Sequence, residues 1–206
     1  MFKIIVCFGD SLTVGYQSPT SAARSYHVTP YGALLQKWFG ESGSVIIRGV
    51  NGEVTSEMVA RFSRDVVQET PHSVVILGGT NDIGRHLSST SISHNLIHLY
   101  ERARAFEIQP VAVTIPSLRM TDEAFSRDLL ERQIEQRIVI NQEIKAYCSQ
   151  SGTPCLDLFS HTAEEGSLRL AETYSNDGIH LSSAGYELLA KLLWEKVWAQ
   201  EYGGRA

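Results

Sequence analysis

The stretch Lys3-Ile4-Ile5-Val6-Cys7-Phe8-Gly9-Asp10-Ser11-Leu12-Thr13-Val14-Gly15 runs from an almost unbroken apolar segment straight into a polar turn bounded by glycines. A strand with one solvated face alternates apolar and polar residues, whereas a strand covered on both faces has no such requirement. The segment therefore reads as an interior strand of a parallel sheet. Working outward, Val- and Ile-rich runs recur at 44–47, 73–77, 110–115 and 154–158, each bounded by Gly, Pro or polar residues. Helical patterns lie between and after them, at 56–69, 91–106, 129–149 and 182–200. In the last, Tyr186, Leu189, Ala190, Leu193 and Val197 recur at steps of three and four, with Glu187, Lys191, Glu195 and Lys196 falling mostly between them. Strands alternating with helices require right-handed crossovers. The prediction is a three-layer α/β/α domain of about five parallel strands, with residues 1–206 as one unit.

Composition agrees with this and excludes several roles. At 206 residues and 43% hydrophobic, the chain is long enough for one substantial core. Lys+Arg 18 against Asp+Glu 23 gives a net charge of -5, without the basic excess that binding to nucleic-acid phosphates requires. The apolar run Ile4 to Phe8 is too short for a signal-peptide core or a membrane span, so the chain reads as cytoplasmic. A secreted chain whose leader had been removed gives the same reading. Cys7, Cys148 and Cys155 form no C-x-x-C pair and leave one over, which favours free thiols over a disulfide framework or a zinc site. Oligomeric state is not legible.

In open parallel sheets, ligands bind outside the carboxyl ends of the strands, at the switch in strand order. Three loops at those ends are polar and glycine-rich: 9–15, 48–53 and 78–82, and a fourth, 176–180, precedes the C-terminal helix. Ser11 follows the first strand directly, where helix N-terminal N–H groups converge and a hydroxyl is well placed to attack a carbonyl. Asp10 and Ser11 also suit a simple helix cap. Attack by a hydroxyl needs a base, and the base needs a third group to fix its tautomer. Asp177-Gly178-Ile179-His180 offers both from one short loop. The Ser11 and Gly52 backbone N–H groups and the Asn81 side-chain amide are three neutral donors for an oxyanion; Gly52 and Asn81 equally suit turn positions. Asp10 and Asp82 read as loop braces rather than catalytic groups.

Taken in order, Gly-Asp-Ser-Leu at 9–12, the glycine at Gly52, Gly-Thr-Asn-Asp at 79–82 and Asp-x-x-His at 177–180 resemble the blocks of the GDSL or SGNH hydrolases. The resemblance runs the length of the chain. It implies a flavodoxin-like five-stranded fold and a serine esterase, thioesterase or lysophospholipase-like activity. Ser11 would be the nucleophile, His180 the base and Asp177 its orienter, with Ser11, Gly52 and Asn81 as the oxyanion hole. The second block departs from many relatives in carrying Gly52-Glu53-Val54-Thr55, with an additional Val.

The expected substrate is a small-molecule acyl ester, cleaved through an acyl-enzyme. An acyltransferase using the same intermediate is one alternative, and a non-catalytic flavodoxin-like binding or signalling module is another. No cofactor is expected, because the nucleotide-binding, nucleophile-elbow and H-E-x-x-H motifs are missing. No metal site is expected either: His94 and His98 have helix spacing for ligands, but their neighbours Asn95, Glu101 and Arg102 suit a solvated face. Charged residues from Asp122 to Arg137 read as mixed-sign helix surface. The long loop after the fourth strand carries Leu118, Met120 and Phe125, which suit either an apolar wall over Ser11, with a preference for short to medium acyl chains, or a small satellite core.

Overall fold

The computed structural model describes residues 2–20, 24–120 and 126–202. The described residues form strands β1 (Lys3–Gly9), β2 (Tyr16–Gln17), β3 (His27–Val28), β4 (Gly43–Gly49), β5 (Ser73–Leu77), β6 (Gln109–Val113) and β7 (Cys155–Leu156). Five of them form one parallel sheet in the order β4-β1-β5-β6-β7, while β2 and β3 pair as a small antiparallel ribbon. The sheet strands come in the order 2-1-3-4-5 along the chain, which puts the switch between β1 and β5.

Period-two alternation explains why the strands carry no polar face. Ile5 and Cys7 of β1, with Val75 and Leu77 of β5, enter one core, while Val6, Phe8, Val74 and Ile76 enter the other. Helices α2 (Tyr31–Phe39) and α8 (Ser183–Leu193) cover the first face. On the opposite face lie α3 (Thr55–Asp65), α5 (Ser89–Ala105) and α6 (Arg127–Ser151). The short helices α1 (Ser11–Val14), α4 (Thr80–Gly84) and α7 (Leu158–Thr162) open loops at the carboxyl ends of strands.

Local signals set the helix ends. Ser88, Ser126 and Ser182 accept the backbone N–H groups of Ser91, Leu129 and Gly185, capping α5, α6 and α8. Gly152 closes α6 in the left-handed conformation. The expected helix over 182–200 is α8 followed by a wider π-turn at Trp194–Trp198, where Trp194 and Trp198 pack edge-on to Phe39 at 5.0 and 5.3 Å. Leu158, expected to end a strand, instead starts α7. All three cysteines are free thiols. No helix among the described residues is long and apolar enough to cross a membrane.

Arg61 of α3 ties two of the strand-end loops together. Its Nε and Nη2 donate to the Glu53 carboxylate, Nη2 also to the carbonyls of Gly9 at 3.0 Å and Arg48 at 3.1 Å, and Nη1 to Asp65 at 2.9 Å. The guanidinium lies 4.1 Å over the Phe8 ring. Glu53 and Arg61 are both buried, so removing the cation leaves a buried carboxylate without a partner. Arg61→Met is expected to cost about 3–5 kcal/mol of unfolding free energy in urea titration. Pairing it with Glu53→Gln should recover part of that loss; a single variant within about 1 kcal/mol of the parent would contradict this account.

Candidate active site

Side chains from opposite ends of the chain meet above β1 and β5. Asp10 caps α1, accepting the Leu12 N–H at 2.9 Å, and this places Ser11 at the first helical position. The 175–181 loop crosses in front of it, held by the Ser175–Leu181 bridge and by an Arg119 N–H bond to the Gly178 carbonyl at 2.7 Å. Ser11 Oγ lies 3.2 Å from His180 Nε2, and His180 Nδ1 lies 2.7 Å from Asp177 Oδ2. A proton on Nδ1 satisfies that carboxylate and leaves Nε2 as acceptor for the serine hydroxyl.

Asp177 is built to stay ionised. Its Oδ1 accepts the N–H groups of Ile179 at 2.9 Å and His180 at 2.7 Å, and Oδ2 accepts the Ser18 hydroxyl at 2.5 Å. Burial alone would raise its carboxyl, but the bonds from His180, Ser18 and the backbone outweigh it and hold the group below the usual carboxylate range. The edge of Tyr16 packs 4.6 Å from the imidazole, and Ser175 donates to the His180 carbonyl at 2.6 Å. Ser18, Ser175 and Tyr16 carry no sequence signal: Ser18 and Ser175 are ordinary loop residues, Tyr16 belongs to the short strand β2, and only the fold brings them to the dyad.

Asn81 lies in the first turn of α4, and its Nδ2 donates to the Glu53 carbonyl at 2.9 Å, with Asp10 Oδ2 at a longer 3.4 Å. Ser11, Asn81 and His180 line one cavity of about 300 Å³. Gly52 lies just outside it, in a more open recess lined also by Asn51 and Glu53; Arg85 is common to both. Its φ of 74° suits glycine, its carbonyl accepts Arg85 Nη2 at 2.8 Å, and its N–H has no acceptor among the described residues. Leu118 and Met120 line the cavity, and Leu118 also packs in a small cluster with Leu130, Ile134 and Phe159. Phe125 lies outside the described residues.

Asp82 braces rather than reacts. Its carboxylate accepts the Thr55 N–H at 3.0 and 3.1 Å and the Thr55 hydroxyl at 2.6 Å, satisfying the first turn of α3. His94 and His98 stack on each other at 6.5 Å, and no group of three His, Cys, Asp or Glu side chains among the described residues is placed to hold a metal. One sequence reading is corrected. Arg137, assigned to exposed helix surface, is buried and lines the Ser11 cavity. The signal was present: with Leu130, Ile134, Asn141 and Ile144 it falls on the buried stripe of α6 at three- and four-residue steps.

Burial pushes the Asp10 carboxyl up to about 7, against the Leu12 N–H bond and the His180 imidazole, which both pull it down. An unfolded carboxyl releases its proton near pH 4, so between about pH 4 and pH 7 the unfolded state binds fewer protons than the folded one. Asp10 thus withdraws stability as pH rises through that window. The Tm difference, Asp10→Asn minus parent, is expected to become steadily more positive from pH 4 to pH 7; a flat or falling difference would contradict the assignment.

Known proteins resemble this chain in sequence and in fold. The chain is 24% identical over 208 residues to an acetylxylan esterase of Geobacillus stearothermophilus, covering 94% of this chain and 93% of that protein. A lipase/acylhydrolase from Enterococcus faecalis superposes with a TM-score of 0.75 at 25% identity, over 96% of each chain. Est24, a carbohydrate acetylesterase from Sinorhizobium meliloti, shares the fold with a TM-score of 0.77 at 20% identity, over 96% of this chain and 99% of that one. A model of the GDSL-like lipase/acylhydrolase family matches residues 7–188, a span that takes in Ser11, Asn81 and the Asp177–His180 loop. On that match, the chain belongs to the GDSL-like lipase/acylhydrolase family.

Proposed function

We propose that this protein is a serine hydrolase that cleaves carboxylic esters of short to medium acyl groups through an acyl-enzyme. The observation that carries the reading is the unbroken chain from Ser11 Oγ through His180 to Asp177, at 3.2 and 2.7 Å, opening into a small cavity. His180 Nε2 takes the Ser11 proton as Oγ attacks the ester carbonyl, and Asp177 stabilises the resulting imidazolium. The Ser11 N–H, the Gly52 N–H and the Asn81 amide receive the oxyanion. His180 then protonates the departing alkoxide, and a water activated by the same imidazole releases the acid. The curated relative named as an acetylxylan esterase supports a small acyl group, and so does a cavity of about 300 Å³.

An ester panel from acetyl to palmitoyl, run beside two variants, tests this. kcat/KM should peak between acetyl and octanoyl, each buried CH₂ adding up to about 0.8 kcal/mol until the cavity is full. Ser11→Ala should lower kcat by about 10⁴- to 10⁶-fold. Asn81→Ala should lower kcat by about 10²- to 10³-fold with KM nearly unchanged, because the oxyanion forms only in the transition state. Full turnover by a clean Ser11→Ala preparation would overturn the mechanism, and a climb in kcat/KM through palmitoyl would overturn the chain-length reading.

A further inference from the structure

Two other arginines near Ser11 that are withdrawn from solvent meet carboxylates. Arg61 has Glu53 and Asp65, and Arg119 has Glu164 and Glu172. Arg137 does not. It is 2% exposed, yet among the described residues it bonds only to neutral backbone carbonyls, from Nε to Pro116 at 3.1 Å and from Nη1 to Gln133 at 3.0 Å. Burial lowers its pKa to about 9, which still leaves a cation at neutral pH. A buried cation with no counter-charge is costly unless something else meets it.

What Arg137 faces is the cavity it lines with Ser11 and His180. Nη2 has no acceptor among the described residues. Gln133, one helical turn earlier and 7% exposed, lines the same cavity, and its side-chain amide is likewise without a hydrogen-bond partner among the described residues. Arg85 adds a second positive charge at the rim, and no Asp or Glu among the described residues lines the cavity. Two polar side chains more than nine-tenths buried, one cationic and one an amide donor, thus point unused donors into a space that also holds the reactive hydroxyl. The rest of the lining is Thr80, Asn81 and Gly84 together with the apolar side chains of Leu12, Leu118, Met120 and Ile179, and none of these carries a charge.

We propose that Arg137, with Gln133, is a specificity site for a carboxylate carried by the substrate, so that the preferred esters bear a negative charge within reach of the cavity wall. This deepens the ester-hydrolase reading and rests on it. A planar carboxylate matches the open edge of a guanidinium, and the Gln133 amide supplies a further N–H. The charge belongs either to the acyl half, as in a hemiester of a dicarboxylic acid, or to the alcohol half, as in an acetylated hydroxy acid. The chemistry at Ser11 is the same in both.

Two arms distinguish these sources. In the first, kcat/KM is measured for 4-nitrophenyl hemisuccinate and hemiglutarate against the primary-amide isosteres in which CONH₂ replaces the carboxylate. In the second, O-acetyl-3-hydroxybutyrate is compared with its amide. In one arm the carboxylate should be preferred by at least about tenfold at low ionic strength. Arg137→Met and, should that variant fail to fold, Gln133→Leu should shrink that ratio several-fold, whatever happens to the absolute rate. Equal rates for carboxylate and amide in both arms, with the esters hydrolysed, would overturn this proposal and leave the esterase reading standing; so would a preference that survives both substitutions. No hydrolysis of any ester would overturn the esterase reading itself.

Discussion

His180 reaches Ser11 across 169 positions of sequence because the loop that carries it is fastened to the loop after β6 by a backbone bond from the Arg119 N–H to the Gly178 carbonyl at 2.7 Å. The approach is so close that a Cβ on Gly178 would lie 1.4 Å from the Arg119 carbonyl oxygen, and φ there is 82°. Only glycine meets both demands. The Arg119 side chain continues the fastening by donating to the Leu170 carbonyl at 2.7 Å and pairing with Glu164 and Glu172. A loop held this way presents Asp177 and His180 to the mouth of β1 without further adjustment, which is the preorganisation that proton transfer from the proposed nucleophile requires.

The same loops show two treatments of buried charge. Around Arg61 the charges are balanced within the protein: Glu53, Asp65 and the carbonyls of Gly9 and Arg48 absorb the guanidinium, and the result is a brace between the ends of β1 and β4. Around Arg137 they are not, and its open edge looks into the cavity of Ser11. Asp177 and Asp10 divide in a comparable way. Hydrogen bonds from Ser18, His180 and two backbone N–H groups keep the first anionic, whereas burial with one backbone N–H bond leaves the second close to neutral pH in its titration. Identity of residue type therefore says little here; the balance between burial and the donors around each carboxylate sets the direction in which it shifts.

Much of this was legible in the sequence, for identifiable reasons. The near-continuous apolar runs announced strands covered on both faces, and their alternation with helices announced a parallel sheet. Ser11, Asn81, Asp177 and His180 lie in short loops at strand or helix ends, so topology alone brought them to one edge. Helix α2 was not among the helical patterns read from the sequence, although Tyr31, Leu34, Leu35 and Trp38 follow a helical step. Arg137 was missed because charge was read as exposure, when its place on the stripe of Leu130, Ile134, Asn141 and Ile144 argued for burial. Ser18 and the Gly178 clamp are contacts between segments distant in sequence, which no local pattern encodes.

The account rests on Ser11 being a nucleophile activated by His180. Treating the protein with a fluorophosphonate and mapping the adduct by mass spectrometry tests this directly, since only an activated hydroxyl attacks the phosphorus at neutral pH. The result expected is a single stoichiometric adduct on the peptide containing Ser11, formed far more slowly when His180 is replaced by Ala. An unmodified Ser11, or labelling that proceeds at the same rate without the imidazole, would contradict it.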